Sequence, residues 1–157
     1  MTPLLTAWAA IFANHPLIRT GVDFAHIGGL VAAAGCALTA DFATISAARR
    51  TSDSREAQLR VLEQTHPIVL GGLAALIVSG LLLFGADVST FLYSTLFWIK
   101  MGLVGLLIIN GLLMLAAERR ARVGTEDSWR RLHALAVGSL ALWTLTTLAG
   151  AALPNLT

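Results

Sequence analysis

The sequence is short of the residues on which soluble chemistry and disulfide scaffolds rely. One cysteine, Cys36, stands inside an apolar run. That excludes an intramolecular disulfide and a thiolate metal cluster. No CxxCH occurs, so covalent c-type haem attachment is excluded too. The methionines Met1, Met101 and Met114 are too few and too scattered for a methionine-lined copper path. No Walker A loop, GxSxG or HExxH is present, which removes the commonest nucleotide, serine-hydrolase and zinc-protease readings. Charge is scarce as well. Only 13% of the 157 residues are Asp, Glu, Lys or Arg, against about 25% in soluble domains.

What fills the chain instead is apolar. Hydrophobic residues make up 56% of it, and the mean hydropathy is +0.74. This is the composition of an integral membrane protein. The basic residues stand in short clusters between apolar runs, where topology signals sit, rather than in a patch suited to nucleic acid. A spanning helix needs about 20 apolar residues. The run 97–120, FWIKMGLVGLLIINGLLMLAAERR, supplies them with one lysine, Lys100, and one asparagine, Asn110, embedded. A lysine near the bilayer centre costs roughly 2.5–3.5 kcal/mol on insertion scales, so Lys100 calls for a partner or a task.

Hydropathy places four spans at about 21–46, 66–85, 91–117 and 132–153. Short connections predict an all-α, up-down-up-down four-helix bundle occupying 19–157. Residues 1–18 carry Leu4, Leu5, Trp8, Ile11 and Phe12 at helical spacing and lack a basic n-region. They read as a short periplasmic interfacial helix that is not cleaved, ended by Asn14-His15-Pro16. Pro67 sits where the second span enters the membrane, and Pro154 ends the fourth. Ala25, Gly29 and Ala33 form a small-xxx-small ladder for close helix approach. Arg49, Arg50, Arg55 and Arg60 lie between spans one and two; Arg119, Arg120, Arg122, Arg130 and Arg131 lie between three and four. The positive-inside rule turns both loops to the cytoplasm and both termini to the periplasm of a bacterial inner membrane.

Sorted by depth at about 1.5 Å per residue, the polar groups fall into two layers. His26 and Lys100 lie on the periplasmic side, with Gly28, Gly29, Ser79, Gly80, Thr146 and Thr147 at comparable depth. Small residues at one level leave room for a flat prosthetic group, or simply permit tight packing. Asp41, His66, Asn110, Glu118 and His133 lie on the cytoplasmic side. His66 and His133 begin parallel helices, a geometry for haem ligated on both axial positions. They equally suit interfacial histidines that meet headgroups. His26 suits a single axial ligand, a proton relay with Lys100, or a histidine hydrogen-bonded to its neighbours. Lys100 suits a haem propionate, a lipid phosphate or a carboxylate such as Asp23. Asn110 reads as interhelical glue. Asp41 has two candidate partners, a ring N–H of His66 or His133, or a loop arginine, the latter preferred.

Taken together, His26 with Gly28-Gly29, the segment SGLLLF closing the second span, and FWIKMGLVGLLIINGLL in the third resemble the copper-resistance D (CopD-like) membrane domain and its HemJ-like relatives. The resemblance covers the first three spans. It implies a four-helix unit in which His26 and Lys100, and more weakly Asn110, are the functional positions. HemJ-type proteins bind haem b and oxidise a porphyrinogen; copper-resistance D proteins are implicated in moving copper. The chain departs from both. Asp41 and Arg49-Arg50 stand where a Pro-Arg segment and histidine are expected at the end of the first HemJ span, and methionine clusters are lacking. With these departures, the resemblance implies a separate branch of that superfamily.

Three functions follow as expectations. The first is a haem b protein that passes electrons or oxidises a small apolar substrate, quinol or porphyrinogen. The ligand is His26, with Lys100 against a propionate, or the His66/His133 pair; the resemblance favours His26. The second is a non-catalytic assembly subunit of a larger membrane complex, or a homo-oligomer. The third is copper transport.

Overall fold

The computed structural model describes residues 3–47, 52–123 and 126–156. Every element among them is an α-helix: α1 (Pro3–Asn14), α2 (Pro16–Ala47), α3 (Ser52–Ala86), α4 (Val88–Tyr93), α5 (Thr95–Ala121) and α6 (Glu126–Leu156). Four are long and apolar enough to cross a membrane: Pro16–Ala47, Asp53–Ala86, Thr95–Ala121 and Glu126–Leu153. They form the expected up-down-up-down bundle, with α1 as the short N-terminal helix. Arg49 and Arg50 of the first basic cluster lie outside the described residues.

Local chemistry sets the breaks. Asn14 turns its side-chain amide back onto Ala10 O at 2.9 Å, ending α1. His15 precedes proline and is disfavoured in the helical region, whereas Pro16 fits the first position of α2. Asp87 caps α4, accepting from Thr90 N at 3.2 Å and from the Ser89 hydroxyl at 3.2 Å. Hydropathy merges α4 with the third span. The structure separates them at Ser94, whose backbone is extended and whose hydroxyl accepts from Phe97 N at 3.3 Å. The third span therefore begins at Thr95 rather than near Phe91. At the other end of the chain α6 does not stop at Pro154 but reaches Leu156. In a last turn, the hydrogen bond that proline forfeits is not needed to hold the helix. Helix α3 likewise runs unbroken through Pro67.

Packing is led by small residues. The buried positions of α2 include Gly29, Ala33, Ala37, Ala40 and Thr44, spaced by three or four along one face. A Cβ placed on Gly72 of α3 would lie 2.8 Å from Gly29 O and 2.8 Å from Ala33 N. The two backbones therefore touch, and Gly29 and Ala33 are the rungs that do it; Ala25, the third rung expected from the sequence, is exposed. Helix α2 packs along α3 and α6, and α5 packs along α6. Helices α3 and α5, which close the ring, meet through long side chains at their ends. Phe84 stacks on Phe97 with centroids 5.3 Å apart. At the arginine-rich end Arg122 reaches Glu63 at 3.1 Å.

Outward faces are apolar: Phe24, Val31, Leu81, Leu112 and Leu148 are exposed, as lipid-facing residues are. Helix α1 lies across the end of α3, where Trp8 Nε1 donates to Leu82 O at 2.8 Å and the indole covers Gly85. The polar stretch 52–60, between spans one and two, is helical and forms the start of α3. Gln58 is buried and donates to Ala40 O and Thr44 Oγ1. Arg55 pairs with Glu126 at 2.7 Å and lies over the Trp129 ring. Trp129 itself is a core residue, beside Leu62 and Leu132.

Two outcomes test this packing. Gly72→Val forces α2 and α3 apart and lowers stability by about 1–3 kcal/mol. Gly71→Ala, where an added Cβ meets nothing within 4 Å, holds or slightly raises stability, since alanine is the better helix former. The unfolding midpoint of purified protein in detergent reads both. The Asp87 carboxyl is held below the usual carboxylate range by the Thr90 hydroxyl, then the Thr90 N–H, with Ser89 adding to it. Its contribution to the α4 cap is therefore complete above its unfolded value and is lost as pH falls through the lower folded one. Asp87→Ala removes about 1 kcal/mol of cap at neutral pH, and the difference from wild type shrinks in acid.

Candidate functional site

The candidate residues divide by depth. On α2, His26 and Asp41 are roughly 22 Å apart at ~1.5 Å per residue.

At the end of the bundle that carries α1 and α4, His26 is half-buried, and its Nδ1 lies 2.9 Å from Ser79 Oγ on α3. Ser79 spends its own proton on Ala75 O, at 2.6 Å, one turn back. The hydroxyl is thus left to accept, and the network assigns the proton to Nδ1 of His26. Nε2 then keeps its lone pair. Gly80, next along α3, lies against the same ring: a Cβ there would stand 3.5 Å from His26 Cε1. A histidine fixed through Nδ1 with Nε2 unprotonated is the arrangement of a metal-ligating imidazole.

Lys100 reaches this level from α5. Its Nζ rests against Gly150 of α6, where a Cβ would lie only 3.4 Å away. Lys100 is half-buried and, among the described residues, has no hydrogen-bond or ion-pair partner. It is near enough to His26 for the two to interact electrostatically, as is Asp23. One turn before Gly150, Thr146 is buried with its hydroxyl unpartnered. The layer thus gathers an imidazole bonded to Ser79 and to the Leu76 carbonyl, with, among the described residues, an unmatched ammonium and an unmatched hydroxyl, and two glycines against which the ring and the ammonium pack. Of these, Ser79, Gly80 and Thr146 stand at the depth read from sequence, while Gly150 was not singled out. Its role depends on which way α6 turns, and hydropathy does not carry that.

The arginine-rich end is arranged differently. His66 Nδ1 lies 3.6 Å from Glu118 Oε2 across the α3–α5 seam. Glu118 is buried and its other oxygen accepts from Arg122 at 2.9 Å. Arg122 also reaches Glu63. Glu118 first and Glu63 second hold the Arg122 guanidinium even more firmly protonated than usual. His133 is half-buried and makes no hydrogen bond or ion pair among the described residues. Asp41 meets neither a histidine nor an arginine among the described residues; its hydrogen bond comes from Ser139 of α6. The carboxylate beside His66 is Glu118 instead. Asn110 is the interhelical tie that its position suggests: its amide donates to Leu135 O at 3.2 Å, and its carbonyl oxygen lies against Gly138.

Among the described residues no three His, Cys, Asp or Glu side chains gather closely enough to hold a bare metal ion. An open crevice of about 750 Å³ runs along α4 and the start of α5, lined by Ser89, Thr90, Tyr93, Ser94, Thr95, Leu96 and Ile99. It contains none of the four candidate residues. No protein-family model, no curated protein and no solved structure matches the chain.

Asn110→Ala separates the structural tie from the chemistry. It is expected to destabilise the α5–α6 pair by about 1 kcal/mol. It should leave untouched any cofactor absorbance that depends on His26. Unfolding midpoint and visible spectrum of one preparation give both readings.

Proposed function

We propose that the chain is an inner-membrane haem b protein that passes electrons or oxidises a small apolar substrate, a quinol or a porphyrinogen. The observation that carries this reading is the imidazole of His26, fixed through Nδ1 by Ser79 with Nε2 free for iron, beside the unmatched Lys100 ammonium. A porphyrin iron already holds four ring nitrogens and needs only one or two axial ligands. A lone histidine therefore suffices where a bare metal ion would need a cluster of ligands. The residues present fit the group. Gly80 lets the His26 ring lie close against α3, and Gly150 lets Lys100 lie close against α6. The α3 and α5 backbones also have little direct packing between them, and that seam suits a flat ring better than a closed helix pair would.

In this reading each residue has a defined task. His26 would hold the haem iron, and Ser79 would fix its tautomer and ring plane. Lys100 neutralises a propionate, or the anionic group of a substrate, with the Thr146 hydroxyl available as a further donor. When bound, the haem would supply one-electron redox chemistry. The outward apolar faces keep water away from the layer and admit a lipid-soluble substrate. Arginine placement turns the His66–Glu118–Arg122 end to the cytoplasm, which puts His26, Lys100, α1 and both termini on the periplasmic side.

Absorbance tests the reading directly. The full chain, expressed with ample haem, is expected to purify with a Soret band that His26→Ala abolishes and that His66→Ala and His133→Ala retain. Gly80→Leu crowds the ring and should lose the band while the helical circular dichroism persists. Lys100→Met should weaken haem retention by about 10-fold, the size of one charge-assisted hydrogen bond. No band in wild-type protein, or a band lost only with His66→Ala or His133→Ala, overturns the assignment.

A further inference from the structure

We propose that Asp41 is an intramembrane proton-binding site: its carboxyl is held neutral, with the proton on Oδ2, and it exchanges that proton with the arginine-rich end of the bundle. The inference stands apart from the haem reading and uses none of its residues.

Asp41 lies on the inner face of α2 with 2% of its surface exposed. One donor reaches it, the Ser139 hydroxyl of α6, itself 5% exposed. Oδ2 is buried and has no hydrogen-bond partner among the described residues. An ionised carboxylate normally recruits two or more donors or a cation when it leaves water. Among the described residues no cation is supplied to it. From α3, Arg55 is engaged with Glu126, and His66 and Glu63 face Glu118 and Arg122. From α5, Glu118 is committed to His66 and Arg122. From α6, the polar group that meets Asp41 is Ser139, while His133 makes no ion pair among the described residues. A neutral acid answers this environment. One oxygen accepts from Ser139, and the other carries the proton in a pocket too apolar for the anion.

A second observation sets the side from which the proton is exchanged. Thr44, one turn further along α2, is fully buried, and Gln58 of α3 is 6% exposed. Gln58 donates to Thr44 Oγ1 at 3.0 Å and to Ala40 O at 3.1 Å. Buried polar side chains thus continue from the level of Asp41 towards the start of α3, where Glu56 and Arg60 are exposed. Towards the other end the next residues of the inner face are Ala37, Ala34 and Ala33, packed on Trp143 and Leu107. They offer nothing to carry a proton. Exchange is therefore one-sided.

Infrared spectroscopy of the full chain in lipid vesicles, grown with [4-13C]aspartate, tests this without a mutation. The other aspartates, Asp23, Asp53, Asp87 and Asp127, are exposed, and Asp41→Asn separates their signal from that of Asp41. We expect one protonated-acid carbonyl band that carries the isotope shift, moves in D2O and disappears in alkali. It should be absent from Asp41→Asn, a neutral isostere expected to keep the wild-type unfolding midpoint. In Gln58→Leu the same band should exchange with deuterium about 10-fold more slowly. Carboxylate bands alone at neutral pH overturn the proposal. So does a protonated band that never exchanges, or one that sodium chloride, but not choline chloride, converts to carboxylate, which would mark a sodium site instead. An unchanged exchange rate in Gln58→Leu overturns the assigned side of exchange.

Discussion

Gly29 and Ala33 of α2 meet Gly72 of α3 backbone to backbone, and the remainder of the bundle depends on that contact. In a bilayer, lipid tails are as apolar as leucine, so burying apolar area does not by itself bring helices together. Close van der Waals fit and hydrogen bonds across helices must do so. Side chains on either glycine would move α3 outward and break the registers built on it. His26 faces Ser79 and Gly80 because these lie further along the same antiparallel seam. Gln58 reaches Ala40 and Thr44 at the seam's other end.

The α5–α6 pair is fixed by different chemistry. Its hydrogen-bonded tie is Asn110 on the Leu135 carbonyl, and Lys100 packs against Gly150 without a polar partner among the described residues. Between the two pairs, α2 and α6 pack through Ala33, Ala34, Ala37 and Trp143. That leaves α3 and α5 as the loosest seam, closed by aromatics at one end and by ion pairs at the other. The asymmetry matters for function. Three seams are filled by the chain itself, and the fourth separates the helix that fixes His26 from the helix that carries Lys100.

The polar residues inside the bundle are not equivalent, although hydropathy weighs them alike. Glu118 is buried yet matched, by Arg122 and His66. Asn110 and Ser79 are matched by carbonyls and a ring nitrogen. Lys100, the Thr146 hydroxyl and one oxygen of Asp41 are not matched. Unmatched groups in a low-dielectric interior are expensive, so the structure concentrates its cost at two levels, one near His26 and one near Ser139.

Sequence alone determined the class of this protein. Four apolar runs of spanning length, separated by arginine clusters, leave only a helical membrane bundle, because in lipid every backbone group must bond within its own helix. The depth of each polar residue was equally legible, since rise per residue is constant. That is why His26 and Lys100 fall together in sequence and in structure. Rotation about each helix axis was not legible. The apolar pattern is nearly uniform around these helices, so hydropathy cannot say which face turns inward. Only tertiary packing decided that Asp41 meets Ser139 rather than an arginine, and that Glu118 rather than Asp41 stands beside His66. The same holds at Ser94, where one hydroxyl cap splits a run that hydropathy reads as continuous. Along the helix, spacing carries the information; around it, the neighbouring helix does.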